Sequence, residues 1–282
     1  MISSRYQTYL EHFKRTVPLC EFHADKDGNN LVGLRHDVDH DLDMALEMSY
    51  WESEAGIRSS YFLLPTATYW QEKGFVEKAL QIQDFNHEVG LHVNIISQWM
   101  EGLIDDALDG IREQIQTLRQ SGIRLTGMSS HGDRLCYEKN FLNYWLFEEL
   151  RPADHENNET GRNAEGIFAL PREKAIAYPG AHQLVRKDGN RLSLWSVPMQ
   201  SLELQYDAVH LPCDTYFTDS GGGWQRSSDP LEHDLSNGRH QILIHPEYWR
   251  GSKKTYFFLS TARSGSLWLS EVLKKATPFP AS

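Results

Sequence analysis

Disulfide chemistry is nearly closed to this chain. Its 282 residues include three cysteines, Cys20, Cys136 and Cys213, far apart and without a CxxC pair. That scarcity excludes a disulfide-stapled scaffold and a cysteine-rich zinc finger. Long apolar runs are missing too, so no transmembrane helix is expected. The opening MISSRYQTYLEHFKR lacks the charged-then-apolar layout of a secretory signal, which leaves a cytoplasmic place as the expectation. Cations are in deficit: 28 Lys and Arg face 39 Asp and Glu, a formal net charge of −11. That balance argues against a nucleic-acid backbone as partner. What the chain has in quantity is aromatic anchors, 8 Trp, 12 Tyr and 12 Phe, too many for a disordered polymer. Its length suffices for one large core or two small ones.

Strand-like and helix-like segments alternate along most of the chain. Ser3 to Lys14 reads as an amphipathic helix with Tyr6, Leu10 and Phe13 on one face. LVGLRHD, RSSYFLL, EVGLHV and RLTGMSS read as strands. Between and after them, DLDMALEMSYWESEAG, GFVEKALQIQDF, GLIDDALDGIREQIQTLRQSG and EKNFLNYWLFEEL read as helices. Such alternation predicts crossover units and a parallel sheet, an α/β fold. The polar stretch RPADHENNETGRNAEG reads as a surface insertion. After it come short strand-like runs, AIAYP, RLSLWSVP and DTYFTDS, and then the clear strand QILIH.

The reactive side chains fall at the ends of these runs. LVGLRHDVD ends in Asp37 and Asp39, EVGLH in His92, RLTGMSSH in His131, TYFTD in Asp219 and QILIH in His245. In a parallel sheet or barrel the C-terminal strand ends share one face, and that face holds the active site. Imidazole and carboxylate together suit zinc or a similar divalent ion, with a position open for water. A nearby carboxylate can then take the water's proton, and a protonated His can serve the leaving group. Plainer readings stand beside this one. The acids from Asp37 to Asp43 could cap the following helix, His92 could be a hydrogen-bonded core histidine, and His131 could be structural. His210 and the other histidines outside these runs carry no motif and read as surface residues. Cys136 and Cys213 read as small buried apolar residues.

These residues resemble the polysaccharide deacetylase family, carbohydrate esterases with a distorted (β/α) barrel, over roughly Leu31 to Trp249. LRHDVD is similar to the family's first motif. The resemblance makes Asp37 the catalytic base and Asp39 a metal ligand, although the intervening Val leaves an exchange of roles open. HEVGLHVN is similar to the second motif and makes His92 a ligand. The family's second His falls on Ile96 here, so His131 in SSHGD is the preferred substitute, ahead of His87 and Asn94. TYFTDSGGGW resembles the fourth motif, with Asp219 to orient a His and Trp224 to wall the acetyl pocket. QILIHPEYW resembles the fifth, with His245 as general acid; apart from the resemblance, the Trp and Tyr residues read mostly as core, with Trp224, Tyr248 and Trp249 as candidates to line a sugar subsite. For the third motif, which normally carries Arg, Arg134 is the stand-in. The resemblance implies an acetylated carbohydrate as substrate and a divalent ion as cofactor, zinc first, cobalt or nickel otherwise.

The tail carries a second resemblance. FFLSTARSGSLWLSEVL is similar to the phosphosulfate-binding loop of sulfotransferases, a strand entering a turn and a helix N-terminus that offers N–H groups to an anion. Arg263, Ser264, Gly265 and Ser266 would contact the 5′-phosphosulfate of 3′-phosphoadenosine 5′-phosphosulfate if a complete sulfotransferase domain existed. The expected layout is a deacetylase-like barrel over 1–250 and, over 251–282, a strand-loop-helix that begins a truncated sulfotransferase-like domain. The leading functional expectation is a metal-dependent deacetylase. The alternatives are a carbohydrate-binding module that kept the fold without the ion, and a fragment of a deacetylase–sulfotransferase fusion whose remainder is missing.

Overall fold

The computed structural model describes residues 3–13, 15–151, 182–224 and 227–250, together with the backbone of 159–160 and 176–177. The expected strand-loop-helix over 251–282, with Arg263, Ser264, Gly265 and Ser266, lies outside the described residues.

The predicted alternation is present. Strands β1 (Thr16–Val17), β2 (Leu31–Val38), β3 (Ser60–Leu63), β4 (Glu88–Val93) and β5 (Gly127–Ser130) are interleaved with helices α1 to α6. These helices are α1 (Ser4–His12), α2 (Leu19–Ala24), α3 (Leu42–Glu54), α4 (Phe75–Asp84), α5 (Ile95–Glu101) and α6 (Ala107–Gln120). After α7 (Arg134–Lys139) come two short antiparallel pairs, β6 (Glu159–Thr160) with β7 (Ile176–Ala177) and β8 (Gln183–Val185) with β9 (Arg191–Ser193). Then β10 (Tyr206–Asp207), β11 (Thr215–Thr218) and β12 (Arg239–Ile244) return to the main sheet.

That sheet is parallel throughout, in the order β10-β5-β4-β3-β2-β12-β11, with β1 beside the start of β2. It curls into a half-barrel. Across the opening between its two edges, Gln241 Nε2 on β12 donates to the Ala208 carbonyl just after β10, at 3.0 Å.

Alternation along β2 sorts side chains to two faces. Val32, Leu34 and, from β12, Ile242 and Ile244 pack outward against α1 and α3 with Tyr6, Met44 and Met48. Arg35 and Asp37 face inward. The floor beneath them is packed by Leu19, Phe22, Phe62 and Tyr206. Gly90 and Gly127 make that packing possible: a Cβ at either position would overlap the Phe62 or Tyr206 ring. Helix starts follow the expected chemistry. Asp41 caps α3 by accepting from the Met44 N–H, and Asp106 caps α6 through the N–H groups of Leu108 and Asp109.

The helix expected over EKNFLNYWLFEEL is not formed. Asn140 ends α7 in a left-handed conformation, and the rest is two single 3-10 turns. Phe141, Trp145, Leu146 and Phe147 are all buried, so no polar helical face exists. Their backbone is taken instead by the following segment: Trp195 N–H donates to the Trp145 carbonyl at 2.6 Å, and Val197 N–H to that of Leu146 at 3.1 Å. Among the described residues no helix is long and apolar enough to cross a membrane.

Candidate active site

The C-terminal ends of β2, β4, β5 and β12 surround a pocket of about 300 Å³ that contains Asp37, Asp39, His92, His131 and His245. Asp39, His92 and His131 form a cluster whose ligand atoms converge. His92 Nε2 lies 3.3 Å from Asp39 Oδ1, His131 Nδ1 lies 3.4 Å from the same oxygen, and the two ring nitrogens are 3.0 Å apart. A tetrahedral ion with ligands at about 2.0–2.1 Å needs ligand–ligand edges of about 3.3 Å. The donor set therefore fits a divalent ion. Asp39 Oδ1 is buried without a hydrogen-bond partner, as a vacant ligand atom would be.

The surroundings orient these ligands. His92 Nδ1 lies 2.8 Å from the Ser129 carbonyl, so this nitrogen carries the proton and Nε2 is left to the cluster. His131 follows the end of β5; its N–H donates to the Val93 carbonyl at 2.9 Å, and its carbonyl accepts from Asn143 Nδ2 at 2.8 Å. Burial, reinforced by the neighbouring His92, pulls the His131 pKa down to about 4, which keeps its ring neutral.

Asp37 occupies a different environment from Asp39. Arg35 grips it through Nε at 2.8 Å and Nη2 at 2.5 Å, and Ser129 Oγ donates to it at 3.2 Å. Burial favours the neutral carboxyl, but the Arg35 charge outweighs it and holds Asp37 well below the usual carboxylate range. His245 is the mirror case. Burial disfavours its cation, yet Asp219, 2.6 Å from Nδ1, pushes the pKa up to about 9. Asp219 is fully buried and also accepts from Trp249 Nε1 at 2.7 Å. His245 Nε2 is 4.0 Å from Asp39 Oδ2, so the imidazole faces the cluster.

Other expected residues fall elsewhere. Ile96 is fully buried in the main core, and Asn143 Oδ1 accepts its N–H at 2.9 Å. His87 is buried against Ser59 and Ser49, and Asn94 donates to Thr66; neither joins the cluster. Arg134 is turned to solvent, with 91% of its side chain exposed and Glu138 as its ion-pair partner. The guanidinium beside Asp37 is that of Arg35, two residues earlier on the same strand. Its signal in the sequence was the i, i+2 spacing, which puts both side chains on one face of β2. Trp224 does not wall the pocket: it packs on Trp249 and donates to Tyr9 Oη at 2.7 Å. Tyr248 lines the pocket at its rim, with 47% of its surface exposed, and Tyr137 is a second rim tyrosine that carried no motif. His210, expected on the surface, lines the same pocket and is bonded to Asp207.

Comparison of the chain with protein-family models, with curated proteins and with solved structures gave no match in any of the three.

Proposed function

We propose that this chain is a metal-dependent hydrolase of the polysaccharide deacetylase type, removing N- or O-acetyl groups from a carbohydrate. The observation that carries the reading is one juxtaposition. Two imidazoles and one carboxylate converge at the spacing of a divalent ion's ligands, between a carboxylate held ionised and an imidazole held protonated. Pairs of titratable groups pushed in opposite directions are the signature of acid–base assignments.

Asp39, His92 and His131 would hold the ion, zinc being the first choice for two imidazoles and a carboxylate. Bound there, it would polarise the acetyl carbonyl and acidify an attacking water. Asp37 accepts that water's proton, oriented by Arg35 and Ser129. His245 gives its Nε2 proton to the departing amine or alcohol, and Asp219 keeps Nδ1 protonated and the ring aimed. The exchange of roles between the two aspartates is disfavoured, because both oxygens of Asp37 already accept from Arg35 or Ser129, whereas Asp39 Oδ1 is free.

Elemental mass spectrometry of the purified chain, paired with an acetate-release assay on N- and O-acetylated saccharides, tests the reading. About one divalent ion per chain and acetate release abolished by chelation are expected. An ion-free protein after zinc, cobalt and nickel have been offered would end it.

A further inference from the structure

His131 lies past the last residue of β5 and before α7, in a stretch without regular structure. The sheet holds its N–H through the Val93 carbonyl, but its own carbonyl accepts from a side chain, Asn143 Nδ2, at 2.8 Å. Asn143 is completely buried. It opens the 3-10 turn Asn143–Leu146, whose Trp145 and Leu146 are packed into the main core and anchor its backbone.

The far end of the same amide serves α5. Asn94, at the N-cap of that helix, makes no side-chain cap bond, which leaves first-turn N–H groups to be satisfied from elsewhere. Asn143 Oδ1 does this from a distant stretch of the chain, accepting the Ile96 N–H at 2.9 Å and the Ser97 N–H at 3.1 Å. Those donors fix which way the amide points. Backbone N–H groups only donate, so the oxygen faces α5 and the nitrogen faces His131. The two hydrogens on Nδ2 match the two carbonyl oxygens nearest to it, those of His131 and of the Asn94 side chain, at 2.8 and 3.0 Å. One planar group therefore ties the start of α5, which follows the strand bearing His92, to the backbone of His131. Ile96 stands where the family pattern has its second ligand. The N–H of that residue and the carbonyl of the His that replaces it are held by one amide.

We infer that Asn143 is a positioning residue of the metal site. Its amide sets the His131 backbone, and through it holds Nδ1 at 3.0 Å from His92 Nε2 and 3.4 Å from Asp39 Oδ1, the separations that suit an ion's ligands. Asn143 acts through His131 and not on the ion itself. The inference rests on the reading of Asp39, His92 and His131 as ligands.

The test compares wild type, Asn143→Ala, Asn143→Ser and Ser97→Ala by two measurements. One is zinc affinity at room temperature, by competition with a chromophoric chelator; the other is the melting temperature of the metal-free protein. Asn143→Ala should bind zinc about 10- to 100-fold more weakly, the range for removing a group that orients a metal ligand. Its melting temperature should fall as well, because buried N–H groups lose their acceptor. A purely structural role would lower the melting temperature and leave the affinity of the folded molecules unchanged. Asn143→Ser leaves a smaller cavity and a hydroxyl too short to reach both ends. It should fold even where Asn143→Ala does not, and still weaken zinc at least about threefold. Ser97→Ala removes an oxygen 3.2 Å from the same Nδ2 without touching the His131 link. Its zinc affinity should stay within about twofold of wild type. Wild-type affinity in a folded Asn143→Ala or Asn143→Ser overturns the assignment. So does a Ser97→Ala that loses zinc as strongly as Asn143→Ala, since the cause would then be a general loosening of α5.

Acetate release from N- and O-acetylated saccharides, recorded on the same samples, separates the two readings. Zinc binding that depends on Asn143, without acetate release, upholds the positioning role and ends the hydrolase reading alone. Zinc bound by wild type and indifferent to Asn143 ends the positioning role alone. No zinc on wild type ends both.

Discussion

Arg35 and Asp37 leave the same face of one strand two residues apart, and the guanidinium grips both carboxylate oxygens, at 2.8 and 2.5 Å. Both groups are buried, with side chains 3% and 4% exposed. The fork geometry matters here more than the charge. Arg35→Lys keeps a cation but loses the bidentate grip, so Asp37 regains part of the rise that burial imposes. The acid limb of the pH–rate profile for acetate release should move to higher pH, and kcat should fall about 10- to 100-fold, with metal content near one ion per chain. An acid limb that does not move would detach Asp37 from the base role.

Ile96 stands where the family pattern calls for a second ligand, yet its side chain belongs to the core and its N–H is held by Asn143. His131 reaches the cluster from the end of the next strand instead. Restoring the pattern should therefore fail. Ile96→His would bury an imidazole among apolar side chains, at a cost of about 2–4 kcal/mol, without gaining a ligand. Metal titration should show unchanged or weaker affinity, and the melting temperature should drop. His131→Ala should lose the ion. A tighter ion in Ile96→His would show that α5 can turn that residue into the site.

How much of this was legible follows from what each residue answers to. The strand ends bearing Asp37, Asp39, His92, His131 and His245 could be read because a parallel sheet sends all of them to one face, and local patterning marks the strands. Glu88 to Val93 shows the limit of that logic in its favour, since six consecutive buried residues still read as a strand from length and flanks. The segment after Asn140 could not be read. Its apolar residues are buried all round, and residues 195–197, some fifty positions away, take its backbone hydrogen bonds. His210 escaped for a similar reason. Nothing beside it in sequence indicates a site, and its place depends on how the curled sheet brings β10 toward β11. Arg134 is close to His131 along the chain, but α7 turns its side chain outward to Glu138.

His245 should carry the upper limit of the pH profile. Its imidazolium must be present to protonate the leaving group, and Asp219 holds its pKa up to about 9 against the opposing effect of burial. Turnover should fall as pH rises through that region. Asp219→Asn removes the charge that outweighs burial, so the basic limb should move down by at least about one pH unit while the acid limb stays. Ordinary pH–rate measurements on the two proteins decide it. Coincident basic limbs would take the acid role from His245.

Behind the site, on the opposite face of β2, Glu52 is fully buried and serves a network of its own. His36 Nε2 lies 2.8 Å from its Oε1, Tyr6 donates to the same oxygen, and Ser59 and Tyr61 donate to Oε2 at 2.6 and 2.9 Å. Burial would raise the Glu52 pKa, but His36, with His87 and Ser59, brings it down to about 2. Because the folded value lies below the ordinary 4.5, this group's contribution to stability is complete above about pH 4.5 and is lost as pH falls toward 2. Glu52→Gln removes the charge and leaves buried donors facing an amide, a loss of about 3–5 kcal/mol. The melting temperature at pH 7 should therefore drop by at least about 5 °C. The deficit relative to wild type should shrink as the pH is lowered from 4.5 toward 2. His36 points away from Asp37 on the alternating strand, so metal content should stay near one ion per chain. Thermal melts across that pH range, with elemental analysis of the same samples, check both halves. Loss of the ion with an unchanged melting temperature would mean that His36 and Glu52 support the metal cluster rather than the fold.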